Sequence, residues 1–210
     1  MKICDSVYMF DATRWSHSYI VWDEEIILID TGIPWFGKGL LRELEFIKVR
    51  LSDIKHIVLT HYDVDHIGSA AMLQKLTNAT VWASKQDIPY IYGVLERHGI
   101  RKYVKYLFPN LEKLTNIKPF EDNQKIGKLN IIATPGHVSI LYEDILFAGD
   151  LVTNKSGKLR PFKINTAWDK RLMQKSINKL ANISFKLICP AHTDKPMERS
   201  NQWENICTQC

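Results

Sequence analysis

A chain of 210 residues, 45% hydrophobic and 24% charged, has an ordinary globular composition and is long enough to bury a sizeable core in a single domain spanning 1–210. No stretch approaches the roughly 20 uninterrupted apolar residues of a membrane-spanning helix, which argues against a helical membrane protein. The formal net charge of +5 would favour an acidic substrate, but it comes from scattered Lys and Arg with no basic run, so nucleic acid is not the expected partner and charge decides little.

The N-terminal MKICDSVYMFDATRW carries Asp5, Asp11 and Arg14 where a secretory signal would be apolar, and reads as a cytoplasmic address. HSYIVWD (17 to 23) and EIILIDTG (25 to 32) are rich in β-branched and aromatic residues and meet at Asp23 and Glu24 as a hairpin. Gly32 and Pro34 break the second strand. Leu40, Leu44, Ile47 and Leu51 recur at helical spacing, which predicts an amphipathic helix over 36 to 50. IKHIVLTH is another strand, GSAAMLQKL a packed helix, and ATVWAS (79 to 84) a further strand. The stretch from Lys85 to Phe120, with Tyr90, Tyr92, Tyr103, Tyr106 and Phe108, reads as an inserted helical cap at about 85–120. Its aromatic residues suit a small core of its own, and Arg101, Lys102 and Lys105 suit an acidic ligand.

KLNIIATPGH, SILYED and ILFAGD are three strand-like runs, the last two joined tightly around Glu143 and Asp144. Thr166 to Asp169 matches a capping box and predicts a helix from about 167 to 181. FKLICPAHTD then repeats the pattern of a strand entering a polar loop. Cys4, Cys189, Cys207 and Cys210 are too few for a disulfide framework and are expected as free thiols, the last two in a frayed polar tail. The order β, β, α, β, α, β, cap, β, β, β, α, β suits two sheets with helices outside them.

Four segments carry chemistry. His61, Asp63, Asp65 and His66 lie within six residues after a strand, His137 follows a Pro-Gly turn, Asp150 follows a Gly, and His192 follows Cys-Pro-Ala. Each is expected at a strand's C-terminal edge, where several nitrogen and oxygen donors can be aimed at one point, as a divalent metal requires. Singly, each has a plain structural reading as a turn, cap or core residue. His17, His56 and His98 lack this context; His56 is expected as a strand side chain and His98 as a cap residue.

THYDVDHIG, TPGH, FAGD and PAHT, in this order and preceded by LIDTG at 28 to 32, resemble the metallo-β-lactamase superfamily over nearly the whole chain. The resemblance implies a four-layer αββα sandwich of two mixed sheets flanked by helices. It implies two divalent metal ions, one held by His61, Asp63 and His137, the other by Asp65, His66 and His192, with Asp150 bridging. The metals would share a hydroxide that attacks the substrate, Asp65 would orient it and act catalytically in moving its proton, and Asp30 would support the ligands.

The common motif of that superfamily is HxHxDH, whereas Asp63 places a carboxylate where an imidazole is usual. Zinc is the expected metal, and the hard anionic donor at Asp63 brings manganese or iron into range as alternatives. HxDxDHIG resembles the motif of members that cleave phosphodiesters, such as choline-phosphate esterases and the hydrolase domain of bacterial DNA-uptake proteins. Flavodiiron proteins also carry a carboxylate here, but this chain shows no flavodoxin-like segment. The absence of a second Thr-Pro-Gly step after His137, and of a Tyr after Asp150, departs from many relatives and from lactone-cleaving ones in particular. The expected activity is thus a binuclear metal-dependent hydrolase of a small ester, thioester, lactone or phosphoester. A phosphodiesterase is the narrower alternative, and a di-iron redox protein or a non-catalytic binding module stand as other classes; an oligomer is compatible with all of them.

Overall fold

The computed structural model describes residues 1–97, 99–109, 111–121, 123–134, 137–162 and 170–208, and divides the chain into two compact units, Met1–Phe120 and Glu121–Cys210. Each unit is built on one sheet.

In the first unit the sheet has seven strands in chain order: β1 (Lys2–Cys4), β2 (Val7–Met9), β3 (Tyr19–Trp22), β4 (Ile26–Ile29), β5 (Ile54–Val58), β6 (Thr80–Ala83) and β7 (Lys118–Pro119). β1 to β4 form an antiparallel meander, and β4 to β7 run parallel. Parallel neighbours require crossovers. α1 (Gly37–Phe46) supplies the first, and α2 (Val64–Ile67) with α3 (Ala70–Thr77) the second. α1 is shorter than its spacing suggests: Pro34–Phe36 is a 3-10 turn, and the helix stops before Ile47 and Lys48, the latter at φ +60°. Leu40 and Leu44 on α1, and Leu73 on α3, pack with Ile20, Leu28 and Ile57 of the sheet in one apolar core.

The segment expected as a cap is the third crossover. It contains α4 (Ile88–Ile91), a 3-10 stretch at Gly99–Tyr103 and α5 (Val104–Leu107), and its end is β7 itself. Leu114 and Ile117 are buried in the sheet's core, with Ile88, Ile91 and Tyr92 packed against it. The connection is thus tied down at both ends and is part of this unit's packing.

The second unit has a mixed sheet in the order β14 (Met197–Glu198), β13 (Leu187–Thr193), β11 (Ile145–Lys155), β10 (His137–Tyr142), β9 (Leu129–Thr134), β8 (Lys125–Ile126), with β12 (Lys158–Pro161) paired to β11. β11 and β13 are parallel, and the other pairs antiparallel. The tight β10–β11 turn places Glu143 at φ +53°. α6 (Lys170–Ala181) is described from Lys170, so the expected capping box at Thr166–Asp169 lies outside the described residues, as do His98 and Cys210. The expected polar tail is instead a helix, α7 (Asn201–Thr208). Trp203 and Ile206, three residues apart on one helix face, enter the core beside Leu180, Phe185 and Ile188. Among the described residues, no disulfide joins Cys4, Cys189 and Cys207 to one another. Among the described residues, no helix is long and apolar enough to cross a membrane.

Candidate functional site

In the first unit β5 runs through Leu59 and Thr60 into His61, Asp63 caps α2 from an extended backbone, and α2 carries Asp65 and His66. His61, Asp63 and His66 are buried and Asp65 is partly exposed; the two imidazole rings lie 3.9 Å apart between centroids. Asp30 organises both rings. It follows β4 at φ +56°, a left-handed backbone held by what its carboxylate accepts: the Thr60 N–H at 2.8 Å, the Thr60 hydroxyl at 2.7 Å and His66 Nδ1 at 2.8 Å. A carboxylate facing Nδ1 makes that nitrogen the donor. Thr60 Oγ1, its proton given to Asp30, lies 3.1 Å from His61 Nδ1 and accepts from it. Nε2 is therefore the nitrogen of each ring that can take a proton or a metal. It lies 3.4 Å from Asp63 Oδ2 for His61, and 3.8 Å from Asp65 Oδ2 and 3.1 Å from Ser16 Oγ for His66.

This donor set fits a divalent cation: two imidazoles anchored through Nδ1, with carboxylates near their Nε2 atoms. Asp63 has a second partner. Arg101 Nε lies 2.6 and 2.7 Å from its two oxygens, and both side chains are 12% exposed. Burial opposes the charge on Asp63, but the hydrogen bond and charge of His61 and the guanidinium of Arg101 prevail and hold the carboxyl below its usual range. Around this pair stand Tyr62, stacked on Tyr90 with centroids 4.7 Å apart, and Arg97, whose guanidinium carbon is 5.7 Å from the Tyr62 ring. Asp87 is also buried here. Its carboxyl is pushed up to about 7 by burial, helped by the charge of Asp63 and opposed by His61.

In the second unit His137, expected after β9, opens β10, and Asp150 and His192 lie inside β11 and β13. These strands outrun the strand-ending loops expected from the sequence because β11 continues past Asp150 to pair with β12. The β11–β13 ladder shifts register on either side of Gly149, which has φ +54°. Such a bulge re-aims the adjacent side chain. His192 Nε2 lies 3.0 Å from Asp150 Oδ1, and the His192 ring stacks on Phe162 at 5.1 Å. His137 is buried, its carbonyl accepting from the Thr134 hydroxyl at 3.0 Å.

The seven side chains singled out by the motifs thus form two groups, His61, Asp63, Asp65 and His66 in the first unit and His137, Asp150 and His192 in the second. The sequence reading missed Arg97 and Asp87, which sit in a connection without a motif, and the role of Thr60, although its place beside His61 was visible. His56 is a strand side chain as expected, with Nε2 2.7 Å from Glu25.

The model of the metallo-beta-lactamase superfamily matches residues 15–192. The chain belongs to this superfamily. Among curated relatives it is 29% identical over 208 residues to the uncharacterized protein YobT of Bacillus subtilis, covering 88% of this chain and 87% of that one. It is 24% identical over 146 residues to the hydroxyacylglutathione hydrolase GloC of Haemophilus influenzae, covering 63% of this chain and 65% of that one. The crystal structure of a metallo-beta-lactamase family protein from Thermus thermophilus superposes with a TM-score of 0.74 at 19% identity, over 99% of this chain and 80% of that one. The two mixed sheets flanked by helices are those of the superfamily's α/β sandwich.

Proposed function

We propose that the chain is a binuclear metal-dependent hydrolase of a small ester-type substrate, with phosphoesters the favoured class. One observation carries the reading: Asp30 and Thr60 hold Nδ1 of His66 and His61, which leaves the Nε2 atoms to face a cation, with oxygens of Asp65 and Asp63 3.8 and 3.4 Å from them. In this reading His61, Asp63 and His137 hold one metal, Asp65, His66 and His192 the other, and Asp150 serves both. That the two groups of residues act on one pair of metals is part of the proposal and comes from the superfamily, whose hydrolase relatives include GloC.

The metals, when bound, supply an activated water and positive charge for the oxygen that becomes anionic during hydrolysis. The chain's residues do the rest. Asp65, the partly exposed carboxylate of the motif, orients the attacking water and carries its proton. Asp30 keeps His66 from turning. Asp63, anionic and hard, favours manganese or iron beside zinc and draws the reading toward phosphoesters. The substrate is a small molecule.

The test is a parallel screen of phosphodiester, phosphomonoester, thioester, lactone and β-lactam substrates with zinc, manganese and iron, together with metal analysis of protein purified without added metal. Chelation should abolish hydrolysis and metal restore it, and His61→Ala or Asp150→Ala should lose activity with an unchanged circular dichroism spectrum. Undiminished hydrolysis in Asp150→Ala would overturn the reading. Bound iron with an oxygen-sensitive absorbance and no hydrolysis would replace it with a redox centre.

A further inference from the structure

Arg97 is a basic residue next to the motif that the proposed hydrolysis leaves unused. It follows α4 on the β6–β7 connection, its guanidinium lies over Tyr62, and its Nη1 is buried with no hydrogen-bond partner. Burial pushes this guanidinium down from its ordinary value, with Asp63 and Tyr62 opposing that fall. Asp63, however, gives both oxygens to Arg101. Two guanidinium groups therefore share the surroundings of one carboxylate, and the second keeps an idle donor. A buried cationic N–H without an acceptor is costly, so a fold that retains one is suited to an acceptor that arrives with a ligand.

A cavity of about 440 Å³ adjoins these groups within the first unit, a size that suits a small organic molecule. Arg97, Arg101 and Lys102 line it with Tyr90 and Phe108. Of its lining acids, Glu112 is paired with Lys75, 2.8 Å away. Cations and aromatic faces thus occur together, and Arg101 reaches from this cavity to Asp63 of the metal motif.

We propose that Arg97 and Arg101 form an oxyanion site for the phosphate of the substrate, whose organic part rests on Tyr90 and Phe108. Phosphate is the fitting anion because it offers enough oxygens to accept from two guanidinium groups at once. The identification of the ligand as substrate rests on the hydrolase reading; the anion site itself does not.

The experiment is calorimetric titration of the full-length protein, as purified and after chelation, with phenylphosphonate, inorganic phosphate and benzoate. Phenylphosphonate should bind both preparations, more tightly than benzoate. Arg97→Gln should weaken it tenfold or more, and Arg97→Lys, which keeps the charge without the fork, by less. Circular dichroism checks each variant, and Arg97→Lys decides the matter if Arg97→Gln does not fold. Binding that vanishes on chelation and is unchanged in Arg97→Lys and Arg97→Gln would place the anion on the metals and overturn the proposal. Benzoate binding as tightly as phenylphosphonate would overturn the phosphate class. Phosphonate bound through Arg97 by a protein that hydrolyses nothing would sink the hydrolase reading alone, whereas hydrolysis without such binding would sink only the anion site.

Discussion

Asp87 shows what crowding does to a carboxyl near the motif. Its ordinary value is 3.8 and its folded value about 7, a rise caused by burial and strengthened by the charge of Asp63. Because the folded state holds the proton more tightly, stability is penalised as pH rises. The unfolded chain releases the proton from about 4 upward while the folded one keeps it until about 7, and above that the penalty levels off. In metal-stripped protein Asp87→Asn should therefore equal the wild type near pH 4 and exceed it at pH 8 by on the order of 2 to 4 kcal/mol in urea denaturation. A difference between the two that is the same at both pH values would show that the carboxyl is not titrating in the fold. Residues of this kind were illegible in the sequence. His61, Asp63, Asp65 and His66 announce themselves by spacing, but Arg101 meets Asp63 across 38 positions of chain, and burial, which no local pattern encodes, sets the behaviour of Asp87.

At the scale of elements, legibility followed length and periodicity. The strands rich in β-branched residues and the tight β10–β11 turn were readable, whereas β1 and β2, three residues each, are too short to show alternation. α7 was hidden by its polar residues, Asn201, Gln202, Glu204 and Asn205, which surround its two anchors. Those anchors are firmly set. Trp203 is 1% exposed and meets Phe185 edge-on at 5.3 Å, and the guanidinium of Arg199, which also bonds Glu204, lies 4.8 Å from the same Phe185 ring. Trp203→Ala should cost about 3 to 5 kcal/mol of stability, seen as a lower urea midpoint. A midpoint equal to that of the wild type would mean that the helix is dispensable. The β6–β7 connection was read as a cap because its helical pattern is irregular and its aromatic residues suit a small core of their own. What the sequence could not show is that Leu114 and Ile117 return it to the sheet.

For the molecule as a whole the fold class was readable from the order of the motifs, since each lies at or within a strand-like run and these runs come in two sets separated by the connection. The division into two compact units was not, because no linker composition marks Phe120 and Glu121. The proposed ligands lie on both units, three of the seven after that division. Metal that binds only the folded chain must then stabilise it by mass action. Chelation should lower the melting temperature by roughly 5 to 10 °C, re-addition of zinc or manganese should restore it, and His66→Ala should shrink the effect. A melting temperature indifferent to metal would contradict the ligand set. The contact between Arg101 and Asp63 also bears on exchanging parts between this chain and its relatives. Writing an imidazole at position 63, to graft the superfamily's usual HxHxDH motif, strands the guanidinium of Arg101. Moving the connection into another scaffold carries with it the need for an acid at the matching place. These two positions, 38 residues apart, make one charge pair in this chain and have to be exchanged together.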